Sequence, residues 1–141
     1  MKGFFDTSVL VPLFYRDHVH HGPSQELFIQ FNRSTGCCAA HSLAEIYATL
    51  TRMPGKRRIS GEQAMLFIGN VRDRLSIVAL DGEEYAEALQ ASAARGIVGG
   101  AIYDAVLAHC ALKSKAQTIY TWYTRHYALC GREIAGRLRT P

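Results

Sequence analysis

The chain has 141 residues, of which 48% are apolar and 20% are charged, and its formal net charge is +4. These values are typical of one globular domain, residues 1–141, that needs no disulfide or metal to hold its core. No apolar run reaches the roughly 18 residues of a membrane span, and Asp6 and Pro12 argue against a secretory leader. The four cysteines match no zinc or disulfide spacing, so we expect free thiols in the cytoplasm.

Short apolar segments alternate along the chain with segments of helical periodicity. We predict four strands, at residues 3–6, 37–40, 76–80 and 118–121. Helices are predicted at residues 9–14, 23–31, 42–52, 60–75, 83–94 and 101–113, whereas the tail from 131 to 141 shows no clear periodicity. Strands that alternate with helices predict an α/β fold with a parallel sheet and helices on both faces.

Several helix starts carry a side chain suited to capping. Thr7 or Ser8 is expected to cap the first helix, and Asp81 the fifth. The helices after residues 42 and 60 begin with capping-box patterns, which pair Ser42 with Glu45 and Ser60 with Gln63.

Three carboxylates lie in mainly apolar stretches of the sequence: Asp6, Glu45 and Asp104. Ionised carboxylates are rarely buried unless they are paired or bind a metal. Asp6 ends a predicted strand, and the other two begin helices after a strand or a glycine-rich turn. Because sites in parallel sheets lie beyond the carboxyl ends of the strands, we expect all three at one edge.

Three converging carboxylates form a site of hard oxygen ligands, which favours Mg²⁺ or Mn²⁺ over zinc. Such ions activate water and stabilise charge on a phosphodiester under attack. A purely structural interpretation stays open for each residue: Asp6 as a strand-end cap, Glu45 as a capping-box partner and Asp104 as a helix-start acid.

Four segments in order resemble the motifs of PIN domains. They are FDTSVL at 5–10, SLAE at 42–45, IYDA at 102–105 and IYTWYTRHY at 119–127. The chain length also resembles that of VapC toxins, the ribonuclease toxins of type II toxin–antitoxin systems. One motif alone would be weak evidence, but four in order across most of the chain are specific.

The resemblance implies a PIN-like three-layer sandwich, with a central, mainly parallel sheet of four to five strands flanked by helices, and a homodimer. It also implies a metal-dependent endoribonuclease toxin that hydrolyses RNA phosphodiester bonds and is neutralised by a cognate VapB-type antitoxin. Asp6, Glu45 and Asp104 would be the catalytic residues that bind Mg²⁺ or Mn²⁺. Thr7 or Ser8 would orient a ligand or an RNA phosphate.

The fourth motif departs from the family pattern, because Tyr123 stands where the family usually has Asp or Asn. A phenol is neutral at pH 7 and supplies no anionic oxygen, so one metal position would be weakened. Tyr123 would instead hydrogen-bond a water or stack on an RNA base. The alternative function is therefore a catalytically weakened module that acts by binding antitoxin or RNA.

Other residues are candidates for RNA contact. Arg57 and Arg58 belong to a basic loop that either binds phosphates or is simply solvated, and Arg125 lies beside the fourth motif. Tyr47 and Tyr103 are expected in the core, although aromatic residues near the acids would also suit base stacking. A phospho-acceptor domain is disfavoured, since Asp6 has no adjacent acid and no lysine follows the fourth strand.

Overall fold

A single parallel sheet organises the fold of the computed structural model, which describes residues 1–141. Its five strands are β1 (Gly3–Phe5), β2 (Gly36–Ala39), β3 (Ser76–Val78), β4 (Thr118–Tyr120) and β5 (Leu138–Arg139). They are ordered β3-β2-β1-β4-β5, and every neighbouring pair is parallel. The predicted α/β class with a parallel sheet is thus confirmed. The carboxyl ends of all strands meet at one edge.

Seven α-helices surround this sheet. They are α1 (Thr7–Leu10), α2 (His21–Phe28), α3 (Ala40–Arg52), α4 (Gly61–Arg74), α5 (Gly82–Ala94), α6 (Ala101–Lys113) and α7 (Arg132–Ala135). Short 3₁₀ turns lie at Val11–Leu13, Gly55–Arg57 and Thr124–Tyr127. None of the helices is both long enough and apolar enough to cross a membrane.

Successive strand residues point to opposite faces of the sheet and divide the core into two layers. Phe5 and Cys38 pack in one buried cluster with apolar side chains of α1, α3 and α4. Phe4 and Cys37 pack in the other cluster with side chains of α6 and α7. The sheet is therefore the middle of three layers, as expected.

Two of the four predicted helix caps are present and two are wrong. Neither Thr7 nor Ser8 caps α1, because the helix already begins at Thr7 and Asp6 occupies the N-cap position. Ser60 and Asp81 each accept a backbone hydrogen bond in a complete capping box. The box predicted between Ser42 and Glu45 does not form, because β2 runs directly into α3 and the helix begins at Ala40. Ser42 consequently lies inside the helix, where it is fully buried.

Other boundaries also differ from the predictions. The first helix begins at Thr7 rather than Val9, and it gives way to a 3₁₀ turn that contains Pro12, which has no backbone N–H to donate. The second helix begins at His21, two residues before Pro23. The tail forms α7 and β5, which were not predicted because four-residue and two-residue elements carry too little periodicity.

Candidate active site

The three carboxylates singled out in the sequence line one cleft, of about 400 Å³, at the carboxyl edge of the sheet. Asp6 directly follows β1, and Glu45 lies in α3, the helix that follows β2. Asp104 lies in the first turn of α6. The fold thus brings together residues that are up to 98 positions apart in the chain.

Asp6 is held by three hydroxyl groups. Its Oδ2 accepts hydrogen bonds from Ser8 Oγ and Thr121 Oγ1, both at 2.7 Å, and its Oδ1 accepts one from the Tyr127 hydroxyl at 2.9 Å. Asp6 is only 5% exposed and forms no ion pair. The negative charge is therefore stabilised by neutral donors alone, and an ionised carboxylate makes such hydrogen bonds strong.

Two of the hydroxyls that donate to Asp6 are held in place by backbone N–H groups of the segment after β4. The Trp122 N–H donates to Ser8 Oγ and the Tyr123 N–H donates to Thr121 Oγ1, each at 3.0 Å. Burial, and then the charge of Asp6, raise the pKa of the Tyr127 hydroxyl well above its usual 10. Tyr127 therefore stays a neutral hydrogen-bond donor.

Glu45 lines the same cleft as Asp6. Its Oε1 accepts a hydrogen bond from Thr7 Oγ1 at 3.1 Å and lies 3.6 Å from His41 Nε2. Burial is the main reason why the pKa of Glu45 is raised, and the charge of Asp6 adds to it. His41 and Thr7 oppose the shift. Glu45 thus holds its proton more tightly than an exposed glutamate.

Asp104 is the most strongly perturbed of the three acids. Burial, and then the charges of Asp6 and Glu45, together raise its pKa from 3.8 to about 6. His126 opposes the shift, with its Nδ1 3.9 Å from Asp104 Oδ2. The three carboxylates are therefore close enough to repel one another.

This set of donors suits a hard divalent cation. The oxygens are anionic, and no lysine or arginine pairs with any of the three acids. No three His, Cys, Asp or Glu side chains lie close enough to hold an ion unaided. Mg²⁺ usually retains several waters and binds through one or two carboxylates, so the residues present fit such an ion.

The predicted RNA-contacting residues divide into two groups. Thr7, Ser8 and Tyr123 line the cleft, but the hydroxyls of Thr7 and Ser8 are already bonded to Glu45 and Asp6. Tyr123 is 47% exposed, and its ring stacks on His126 at a centroid distance of 5.0 Å. Of the three, only Tyr123 offers a free surface.

The three arginines lie outside the cleft. Arg125 lines a neighbouring cavity of about 330 Å³ that also includes Asp104. Arg57 pairs with Asp17, next to a histidine of the cleft wall, and therefore lies near the rim. Arg58 donates its Nε–H to the Met53 carbonyl and does not reach the cleft.

Sequence reasoning missed the polar network around Asp6. Thr121 appeared only as the end of a predicted strand, and Tyr127 only as the last residue of the fourth motif. The available signal was a hydroxyl at the carboxyl end of a strand that neighbours β1. The expectation that Tyr47 and Tyr103 are core residues was wrong, since they are 41% and 54% exposed.

Fold and site together define an α/β protein with an acidic cleft at the carboxyl edge of a parallel sheet. The family model described as "PIN domain" matches residues 3–128. The chain therefore belongs to the PIN-domain family.

Named relatives agree with this assignment. The chain is 33% identical to Ribonuclease VapC27 of Mycobacterium tuberculosis over 113 residues, which cover 79% of this chain and 78% of the relative. It is 30% identical to Ribonuclease VapC40 of the same species, with 81% of each chain covered.

Solved structures share the fold. VapC20 of Mycobacterium tuberculosis, described as a toxin that cleaves the sarcin–ricin loop, superposes with a TM-score of 0.72 at 17% identity, covering 94% of this chain and 98% of its own. DNA-bound VapBC from Salmonella typhimurium gives a TM-score of 0.68 at 19% identity, with 99% and 98% covered.

The hydrogen bond from Tyr127 to Asp6 is expected to stabilise the fold. Tyr127→Phe keeps the buried ring and removes only the hydroxyl, so the free energy of unfolding should fall by about 1.5–3 kcal/mol, as for hydrogen bonds to charged groups. Urea unfolding measures this change. Tyr85→Phe, at an exposed position of α5, is the matched control. Equal effects of the two substitutions would contradict the proposed bond.

Because the pKa of Asp104 is raised, we expect the ionisation of this residue to lower the stability of the fold as pH rises. Because the folded protein binds this proton more tightly than the unfolded chain, stability falls as pH rises from about 4 to about 6. Asp104→Asn should therefore be more stable than wild type by about 1 kcal/mol at pH 7, allowing for partial exposure. The difference should vanish near pH 4.

Urea unfolding at both pH values, without divalent cations, tests this prediction. Asp73→Asn, at an exposed position of α4, should change stability little at either pH. A variant Asp104→Asn that is less stable than wild type at pH 7 would show that the carboxylate is not electrostatically strained.

Proposed function

We propose that this protein is a divalent-metal-dependent endoribonuclease toxin that hydrolyses RNA phosphodiester bonds. The observation that carries the proposal is the convergence of Asp6, Glu45 and Asp104 in one cleft without a compensating lysine or arginine. Membership of the PIN-domain family, whose similar members are named ribonucleases, supports the same conclusion.

Each acid has a distinct environment that suits a distinct role. Asp6 and Asp104 would hold Mg²⁺ or Mn²⁺, which when bound polarises a phosphoryl oxygen and lowers the pKa of water. Three hydroxyls fix the orientation of Asp6, so little reorganisation is needed during the reaction. Glu45, with its raised pKa, is suited to accept a proton from the attacking water.

Residues around the cleft would bind the RNA. The exposed ring of Tyr123 offers a surface on which an unpaired base can stack. Arg57 and Arg125, near the rim, would contact phosphates, and Arg58 would add to the same electrostatic attraction. Thr7 and Ser8 would act indirectly, by orienting Glu45 and Asp6.

Toxins of this kind need a partner that keeps them inactive. Two structural neighbours are complexes described as VapBC, from Rickettsia felis and Salmonella typhimurium, both with DNA. By analogy, a cognate VapB-type antitoxin would neutralise this protein, and the toxin would form a homodimer.

A second function is favoured by one observation, which is that Tyr123 supplies no anionic oxygen to the cleft. If this loss prevents productive metal binding, the protein is a PIN-fold module that binds antitoxin or RNA without cleaving it. Cleavage and metal dependence distinguish the two functions.

The test is cleavage of a structured RNA by the purified, antitoxin-free protein with Mn²⁺ and with excess EDTA. We expect cleavage only with the ion, and a loss of about 100-fold or more in Asp6→Asn and Asp104→Asn, because each removes an anionic oxygen. Asp73→Asn should retain full activity. RNA binding by folded wild type with no cleavage in Mn²⁺ would establish the alternative.

A further inference from the structure

His126 is a polar side chain of the cleft to which the proposed mechanism assigns no role. It lies in the 3₁₀ turn after β4 and lines both the acidic cleft and the neighbouring cavity. Its side chain is 51% exposed, and its Nδ1 lies 3.9 Å from Asp104 Oδ2. That separation is too long for a hydrogen bond.

The distance between His126 Nδ1 and Asp104 Oδ2 is compatible with one metal ion bound to both atoms. Divalent ions bind imidazole nitrogen and carboxylate oxygen at about 2.0–2.2 Å. Two such bonds place the nitrogen and the oxygen about 3 Å apart when the ligands are adjacent and about 4.2 Å apart when they are opposite. The observed 3.9 Å lies between these values, so one ion could bind both atoms after a movement of less than about 1 Å. Asp104 is already one of the oxygen donors assigned to the cation.

The orientation of the His126 ring is consistent with this role. The Tyr123 ring stacks on it with an interplanar angle of 21°, and the backbone N–H of His126 donates to the Tyr123 carbonyl at 2.9 Å, which fixes the turn that carries the ring. Stacking occupies a face of the imidazole and leaves the nitrogens on its edge free to bind an ion. Tyr123 thus supports the ring without supplying a ligand.

The other histidine beside an acid of the site is less suited. His41 lies four residues before Glu45 on the same helix, and the Glu45 oxygen nearest to it already accepts a bond from Thr7. His41 is not part of the cleft lining, whereas His126 is.

We infer that His126 is a nitrogen ligand of the divalent cation in the acidic cleft, and that it makes the site favour Mn²⁺ over Mg²⁺. The inference rests on the proposed function, which places a cation there. Mg²⁺ favours oxygen ligands, whereas first-row transition ions accept imidazole more readily. One imidazole among carboxylates therefore shifts the preference towards a transition ion.

The experiment uses Mn²⁺ itself as the probe. Electron paramagnetic resonance measures Mn²⁺ binding and its displacement by Mg²⁺, and electron spin echo modulation by ¹⁴N detects an imidazole bound to the ion. We expect this modulation in wild type. In His126→Gln it should disappear, and the affinity for Mn²⁺ should fall about 10-fold or more.

Two further variants keep the result interpretable. His109→Gln, which alters a histidine of α6 in a different cavity, should leave both signals unchanged. His126→Asp should bind Mn²⁺ without ¹⁴N modulation and should bind Mg²⁺ more tightly than wild type does. This last variant tests the inference even if the glutamine variant folds poorly.

The outcomes separate this inference from the proposed function. Mn²⁺ binding without ¹⁴N modulation in wild type, or modulation that persists in His126→Gln, would overturn the role of His126 and leave the proposed nuclease intact. An absence of Mn²⁺ binding in the folded wild type would overturn both.

Discussion

The structure depends on one constraint, which is that the Asp6 carboxylate is buried without a lysine or arginine paired to it. Asp6 directly follows the central strand and is almost fully buried, so its charge needs hydrogen bonds from the protein. The three donors come from its own turn, from the end of β4 and from the following 3₁₀ turn. The position of Asp6 is therefore correct only when β1 and β4 are paired in register.

The same network explains how the walls of the cleft are arranged around this carboxylate. β2 and β4 flank β1 on opposite sides, and the segments that follow them carry Glu45 and His126. Thr7 links Asp6's turn to α3 through Ser42 and Glu45. Sheet order, rather than local sequence, thus determines which side chains meet in the cleft.

The repulsion among the three acids lowers the stability of the folded protein. Natural active sites often keep interactions that lower stability because the chemistry requires them. Here burial and mutual repulsion raise the pKa of Asp104 to about 6, and no basic side chain offsets the charge of Asp6. A bound cation would remove this strain, so metal binding and stability are expected to be linked.

Much of the fold could be predicted from the sequence, because buried strands are apolar and acids in apolar segments are unusual. Asp6 and Asp104 were located in this way, and the order of strands and helices indicated a parallel sheet. The prediction of a capping box between Ser42 and Glu45 was wrong, because a local sequence pattern cannot show that β2 continues directly into α3.

Long-range contacts account for most of what was missed. Nothing near Tyr127 in the sequence indicates that its hydroxyl meets an acid 121 positions away. The proximity of His126 to Asp104 likewise follows only from the fold, because the two residues lie in different elements. The tail escaped prediction because β5 has two residues and depends on pairing with β4.

The most direct test of the account is a crystal grown with Mn²⁺ and measured for anomalous scattering. The account predicts a peak in the acidic cleft, within bonding distance of Asp6 or Asp104. A well-ordered cleft without such a peak, in crystals soaked at millimolar Mn²⁺, would contradict the claim that these carboxylates form a metal site.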